Sequence, residues 1–172
     1  MPYAPKSSCK DTIELYYHTI RDKMDEFFSK IDADYISSIV KDMNQFNKFS
    51  FYSNMHSLVA PLQKDLLMCG KSVVSCSELS DQLQDAKSLD LNCLSIVVIP
   101  KRLDSVYILE VLKTAKEAGS KVLLISAAIL SQYDKYADYL ISFNGTGTSI
   151  DLYLLHMCLH ILTMEYRRCY MD

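Results

Sequence analysis

From Thr12 to Ile31 the apolar residues Ile13, Tyr17, Ile20, Met24, Phe27 and Ile31 recur in alternating steps of four and three. That spacing marks one face of a helix, with Lys, Arg, Asp and Glu over much of the remainder. Such a helix packs on its own domain, or on a partner subunit or second domain, and both readings stay open here. Residues 1–10 hold two prolines, two lysines and small polar side chains and read as a loose tail. A second helix is predicted from Ala33 to Asn44, with Asp32 as its N-cap. The period then changes: residues 47–53 alternate polar and aromatic side chains, the signature of a short strand. Pro61 fits best in a first helical turn, so the next helix is predicted to start near Ala60 and to end at Gly70, a left-handed cap.

Downstream the two periods alternate. Ser72–Cys76 reads as a strand, and Ser77 can cap a helix through Lys87 with Leu79, Leu83 and Ala86 on one face. Cys93–Ile99 is nearly continuous in apolar, largely β-branched residues, as in a central parallel strand covered on both faces. Asp104 can cap a helix carrying Ile108, Leu112 and Ala115, which Gly119 ends. Lys121–Ile125 is another buried strand. A helical turn over 132–136 leads to a strand at Tyr139–Phe143, a loop at Asn144–Thr148, and a last helix from Ser149 to Arg168. Alternation of this kind predicts a three-layer αβα sandwich with a parallel sheet and right-handed crossovers. Ligands of such folds sit outside the carboxyl ends of the strands, where the strand order reverses. That points to the loops at 53–60 and 100–105.

Composition narrows the function classes. The chain has 172 residues, 49% hydrophobic and 23% charged, which suits one globular domain. A net charge of −3 argues against a surface dedicated to nucleic acid. Only four glycines are present, Gly70, Gly119, Gly145 and Gly147, and no G-x-G-x-x-G or P-loop can be written from them. Dinucleotide-dependent hydride transfer is therefore disfavoured, and no cofactor is expected. The six cysteines form no C-x-x-C pair and no zinc or disulfide framework. With no apolar signal core at the start and no run of ~20 apolar residues, a cytoplasmic protein with no membrane contact is expected. His156 and His160 share a helix face four residues apart, but no third ligand is evident, so a core or interface pair is expected and no metal. Tyr153, Met157, Met164 and Tyr166 on the same helix read most simply as core. No G-x-S-x-G nucleophile elbow exists.

Several segments together resemble the sugar isomerase (SIS) domain, in particular the C-terminal sensor domain of RpiR-type transcriptional regulators. The stretch Asp104-Ser105-Val106-Tyr107-Ile108-Leu109-Glu110, running on through Ala115-Lys116-Glu117-Ala118-Gly119-Ser120-Lys121-Val122-Leu123-Leu124-Ile125-Ser126, is similar to that family's E-T-x-E-I-L-E … A-K-x-x-G-A-K-V-I-A-I-T. Tyr136-Ala137-Asp138-Tyr139-Leu140-Ile141 resembles its L-A-D segment, and the helix from Leu58 to Gly70-Lys71 resembles the one after its first strand. The resemblance covers about residues 33–170. It implies a five-stranded parallel sheet in flavodoxin-like order, with additional N-terminal helices, and a homodimer. Residues 1–32 would then be a tail and a linker or dimerisation helix, and residues 33–172 the SIS domain.

The departures bear on the ligand. The family's first phosphosugar loop, G-x-G-x-S, falls on Tyr52, Ser53, Asn54, Met55 and His56, followed by Ser57; both glycines are replaced. Its second, S-x-S-G-x-T, falls on Pro100, Lys101, Arg102, Leu103, Asp104 and Ser105, where only the Ser105 hydroxyl survives. A D-x-H-x-Q pattern after the second strand reads Glu78-Leu79-Ser80-Asp81-Gln82. Glycine admits close backbone approach to a phosphate, whereas Tyr52, Asn54 and Leu103 crowd it and Pro100 removes a donor. Lys101 and Arg102 are either solvated loop residues or an anion site of altered geometry. The candidate ligand-binding residues are Ser53, Asn54, His56, Ser57, Lys101, Arg102 and Ser105, with no catalytic residue among them.

Three functions follow from the resemblance. The first is the effector-sensing and dimerisation domain of an RpiR-type regulator that binds a sugar phosphate or another small anionic metabolite. DNA would be contacted only through an upstream helix-turn-helix domain that this chain does not contain. The second is a degenerate SIS domain kept for dimerisation alone. The third is a phosphosugar isomerase with Glu78 or His56 as base; the altered anchor loops weigh against it, so no enzyme is expected.

Overall fold

The computed structural model describes residues 8–100, 105–128 and 132–171. The chain divides into two compact units, Met1–Asp32 and Ala33–Asp172. Within the first, α1 spans Cys9–Lys30. It begins three residues before the sequence pattern suggests, because Ser8 and Asp11 form a reciprocal capping box. The Ser8 hydroxyl accepts from the Asp11 amide at 3.1 Å, and the Asp11 carboxylate accepts from the Ser8 amide at 2.8 Å. Phe27 is buried, while Ile13 and Tyr17 of the same stripe are 62% and 60% exposed.

The second unit alternates as its sequence dictates. Its elements are α2 (Ala33–Met43), β1 (Lys48–Tyr52), α3 (His56–Met68), β2 (Ser72–Cys76), α4 (Leu79–Lys87), β3 (Cys93–Ile99), α5 (Ser105–Glu117), β4 (Lys121–Ser126), β5 (Tyr139–Ser142) and α6 (Ile150–Tyr170). The five strands form one parallel sheet in the order β2-β1-β3-β4-β5, the flavodoxin-like order. Helix α6 packs on α2 and α3, and α4 packs on α5, giving three layers. Side chains alternate across the sheet, so each face has its own core. Tyr52, Val97, Ile99, Val111, Leu112, Ala115, Val122 and Leu124 form one cluster. Phe49, Phe51, Leu94, Ile96, Leu62, Leu66, Leu155 and Leu159 are also buried.

Two local expectations are corrected, at α3 and at α6. Strand β1 forms as expected, and its polar positions are covered. Ser50 is fully buried, and Lys48 is partly buried against Asp85 at 3.0 Å. Helix α3 starts at His56, with Pro61 inside it rather than in its first turn. Proline there forfeits one backbone hydrogen bond, which the burial of Val59, Leu62 and Leu66 offsets. On α6 only Tyr166 of the four expected core residues is buried. Tyr153 and Met164 are largely exposed and Met157 half-buried, because the outer face of α6 continues its apolar pattern; His156 and His160 lie exposed on it with their rings stacked. Gly70 and Gly119 do end their helices at positive φ, +75° and +96°. At Gly70 the two bonds of a Schellman motif are present, from its amide to Leu67 and from the Lys71 amide to Leu66, both 3.0 Å.

Polar ties fix the layers. Arg167 on α6 grips Asp65 on α3 through Nε at 2.6 Å and Nη2 at 3.1 Å, and Asp65 is fully buried. Asp138, ahead of β5, accepts from Lys116, from Lys121 at 2.8 Å and from the Val122 amide at 3.0 Å. Burial pushes its carboxyl up, but the two lysines and the amide outweigh that and hold it below the ordinary aspartate value.

Candidate ligand-binding cleft

The strand order reverses between β1 and β3, and an open cleft of about 160 Å³ lies at their carboxyl ends. Tyr52 ends β1, and Ser53 and Asn54 follow it into the cleft. Val98 and Pro100 come from the end of β3. Ser77, Leu79 and Gln82 come from the turn after β2 and from α4, and Tyr107 and Ile108 from the first turn of α5.

The floor is held by a buried tyrosine–carboxylate–lysine group. Tyr52 is 1% exposed, and its hydroxyl donates to Asp85 Oδ2 at 2.8 Å while Lys48 Nζ donates to Oδ1. Burial and the adjacent Asp85 charge push the Tyr52 phenol far above its ordinary value, so it stays protonated. Burial also pushes Asp85 up, yet Ser50, Lys48 and Tyr52 together hold it below the ordinary aspartate value. The group is thus an ion pair with a hydroxyl donor, spanning β1 and α4 under the cleft.

The loops are pinned from within. Gln82 is buried and spends both amide hydrogens on the Cys76 and Ser77 carbonyls, at 3.1 and 3.0 Å, which shapes the turn after β2. The Ser53 hydroxyl accepts from the Met55 amide at 3.0 Å and keeps its own proton to give. Gln82 is the last position of the D-x-H-x-Q pattern, and Tyr107 stands where the resembled E-T-x-E stretch has its second glutamate. Those two correspondences are the signals by which sequence could have found them.

The expected site residues fall into three groups. Ser53 and Asn54 meet in the cleft. His56 and Ser57 lie on the exposed first turn of α3, outside the cleft lining, with His56 Nδ1 3.4 Å from the Ser75 hydroxyl on β2. Ser105 begins α5, and its side chain, like Lys101 and Arg102, lies outside the described residues. Glu78, one of the two candidate bases, precedes α4 on the exposed surface and does not line the cleft either.

A second loop has the look of an anion site and is already filled. Asp151, buried in the first turn of α6, accepts from the Thr146 amide at 2.7 Å and from the Gly147 amide at 2.8 Å. The chain's own carboxylate occupies the nest that those amides form. Among the described residues no three His, Cys, Asp or Glu side chains converge as a metal site, and no described helix is long and apolar enough to cross a membrane.

The sheet order, the crossovers and a cleft at the switch point are those of the flavodoxin-like fold, and solved structures of sugar isomerase domains match it. NanR from Vibrio vulnificus, complexed with ManNAc-6P, matches 94% of this chain with a TM-score of 0.78 at 13% identity. The chain spans 64% of the length of that NanR chain. The sugar isomerase domain of an RpiR transcription factor from Sphaerobacter thermophilus matches at TM-score 0.72 and 15% identity, covering 90% of this chain and 88% of that one. A Bacteroides fragilis protein assigned as a phosphosugar isomerase in capsule formation matches at TM-score 0.67 and 14% identity, covering 92% and 91%. Comparison with protein-family models finds no match, and comparison with curated proteins finds none. The fold is therefore one that regulators and proteins assigned as isomerases share.

Proposed function

We propose that residues 33–172 are the effector-sensing and dimerising domain of an RpiR-type transcriptional regulator. The cleft at the carboxyl ends of β1 and β3 binds a phosphorylated sugar or a related carbohydrate derivative and does not transform it. The observation that carries this reading is the cleft at the strand-order reversal, lined by hydroxyls, amides and apolar groups, in a fold that matches NanR complexed with ManNAc-6P and an RpiR sugar isomerase domain. Isomerisation through an enediol needs a positioned base, and His56 and Glu78 both lie outside that lining. In this reading α1 links the sensor to a DNA-binding domain, and its exposed Ile13 and Tyr17 are where it meets another surface.

The test is a thermal-shift panel of sugar phosphates, amino-sugar phosphates and free sugars, with isomerase assays on the same compounds. A ligand at 100 times its Kd stabilises by about 2.7 kcal/mol, a rise of roughly 5–10 °C for a chain of this size. No shift across the panel, with the protein still dimeric, would favour a SIS fold kept for dimerisation alone; the replaced glycines of the first loop are the observation behind that second reading. Turnover of any compound would overturn the binding-only assignment.

A further inference from the structure

We propose that Tyr107 is the stacking platform on which this cleft holds the ring of a pyranose sugar, so that it selects its ligand by the ring. The inference rests on the reading of the cleft as a carbohydrate site. Tyr107 is 65% exposed and lines the cleft beside Ile108 and Leu79, which the other exposed aromatics among the described residues do not. Polar groups line the same cleft from other elements. Neither the Asn54 amide nor the Ser77 hydroxyl hydrogen-bonds to a described residue, and Ser53 retains a donor. This combination of apolar and neutral polar groups fits a pyranose. One face of such a ring carries axial C–H groups, which the electron-rich face of an aromatic attracts, and hydroxyls rim its edge.

Size agrees. The described lining sets the Asn54 amide and the Ser53 and Ser77 hydroxyls beside the apolar groups, and Lys101 and Arg102, next to Pro100, lie outside the described residues. The cleft volume lies below the ~300–1,000 Å³ of pockets for drug-sized ligands, so it suits one ring. Recognition by phosphate alone would leave the exposed Tyr107 face unused.

The experiment is isothermal titration of the whole chain with ManNAc-6P, glucose 6-phosphate, the two unphosphorylated parent sugars and inorganic phosphate. It is run on wild type, Y107F and Y107A. For whichever sugar binds wild type best, Y107F is expected to stay within about threefold, because the ring face is kept, and Y107A to weaken binding at least tenfold. Inorganic phosphate should bind no differently to the three proteins. Exposure of Tyr107 means both variants should fold, and unchanged thermal midpoints and elution masses would verify this. The proposal is overturned if Y107A binds within threefold of wild type, if Y107F loses as much as Y107A, or if Y107A changes the oligomeric mass. Should no sugar or sugar phosphate bind wild type at all, the carbohydrate reading itself falls, and the platform with it; that result differs from one in which sugars bind and Tyr107 does not matter.

Discussion

Tyr52→Phe tests how the floor of the cleft is held. The substitution keeps the ring, which is 1% exposed, and deletes one hydroxyl that donates to Asp85 at 2.8 Å. A hydrogen bond to a charged group contributes about 1.5–3 kcal/mol. Asp85 would keep Lys48, and its side chain is 11% exposed, so water offers some replacement. The loss should therefore lie near the lower end, about 1.5–2 kcal/mol, or roughly 3–8 °C in the melting midpoint. Asp85→Ala should cost more, about 3 kcal/mol, because it strands a buried phenol and a partly buried lysine. Once Asp85 is gone, adding Tyr52→Phe should cost little, since the two side chains act as a pair. Urea unfolding at constant m-value measures all three. The penalty should also depend on pH. Asp85 titrates below its ordinary value in the folded protein, so its stabilisation is complete above the unfolded value of about 3.9 and is lost as pH falls through the folded one. The Tyr52→Phe penalty should shrink on acidification over that window. A Tyr52→Phe protein within about 0.5 kcal/mol of wild type at pH 7, or penalties that add fully with Asp85→Ala, would refute the coupling.

Two further substitutions probe the frame. Arg167→Ala leaves the buried Asp65 carboxylate without its bidentate partner and should cost about 3 kcal/mol in urea unfolding; a loss under about 1 kcal/mol would mean the pair does not hold α6 to α3. Gly145→Ala places a Cβ 2.1 Å from the Ala127 carbonyl oxygen and 2.7 Å from Asp151 Oδ2. The loop must move, at about 2–3 kcal/mol, and wild-type stability in that variant would contradict the close packing.

Much of the architecture was legible because burial wrote it into the sequence directly. The nearly continuous apolar runs at 93–99 and 121–125, interrupted only by Ser95 and opened by Lys121, show no alternation to mark a solvent face, and β3 is buried throughout and β4 from Val122 onward. Where a side chain's fate depends on a distant partner, the pattern misled. Lys48 and Ser50 alternate with aromatics as solvent-facing residues would, yet Asp85 from α4 makes the lysine's burial tolerable and the serine is small enough to pack. The outer face of α6 shows the converse: Tyr153 and Met164 are apolar and still exposed, since periodicity reports hydrophobicity and not what covers it. The site followed the same division. Topology pointed to the candidate cleft, at the loop after Tyr52. Its lining did not follow from loop sequence, because Gln82 and Tyr107 arrive from helices whose crossing over the sheet brings them to the cleft.

The four glycines link the fold to its ligand. Gly70, Gly119 and Gly147 take positive φ, and Gly145 has no room for a side chain, so each serves a helix end or the loop before α6. None lines the cleft. The Thr146 and Gly147 amides, which could hold an anion, are bound by Asp151. Gln82 spends its donors on the carbonyls of its own turn, and the lone pairs of Asp85 are engaged by Lys48 and Tyr52. What the described cleft still offers is an exposed aromatic face, one hydroxyl with a proton to give and two side chains without hydrogen-bond partners among the described residues. In the proposed reading those groups contact the ring of the sugar, while Lys101 and Arg102, which follow the cleft-lining Pro100, lie outside the described residues.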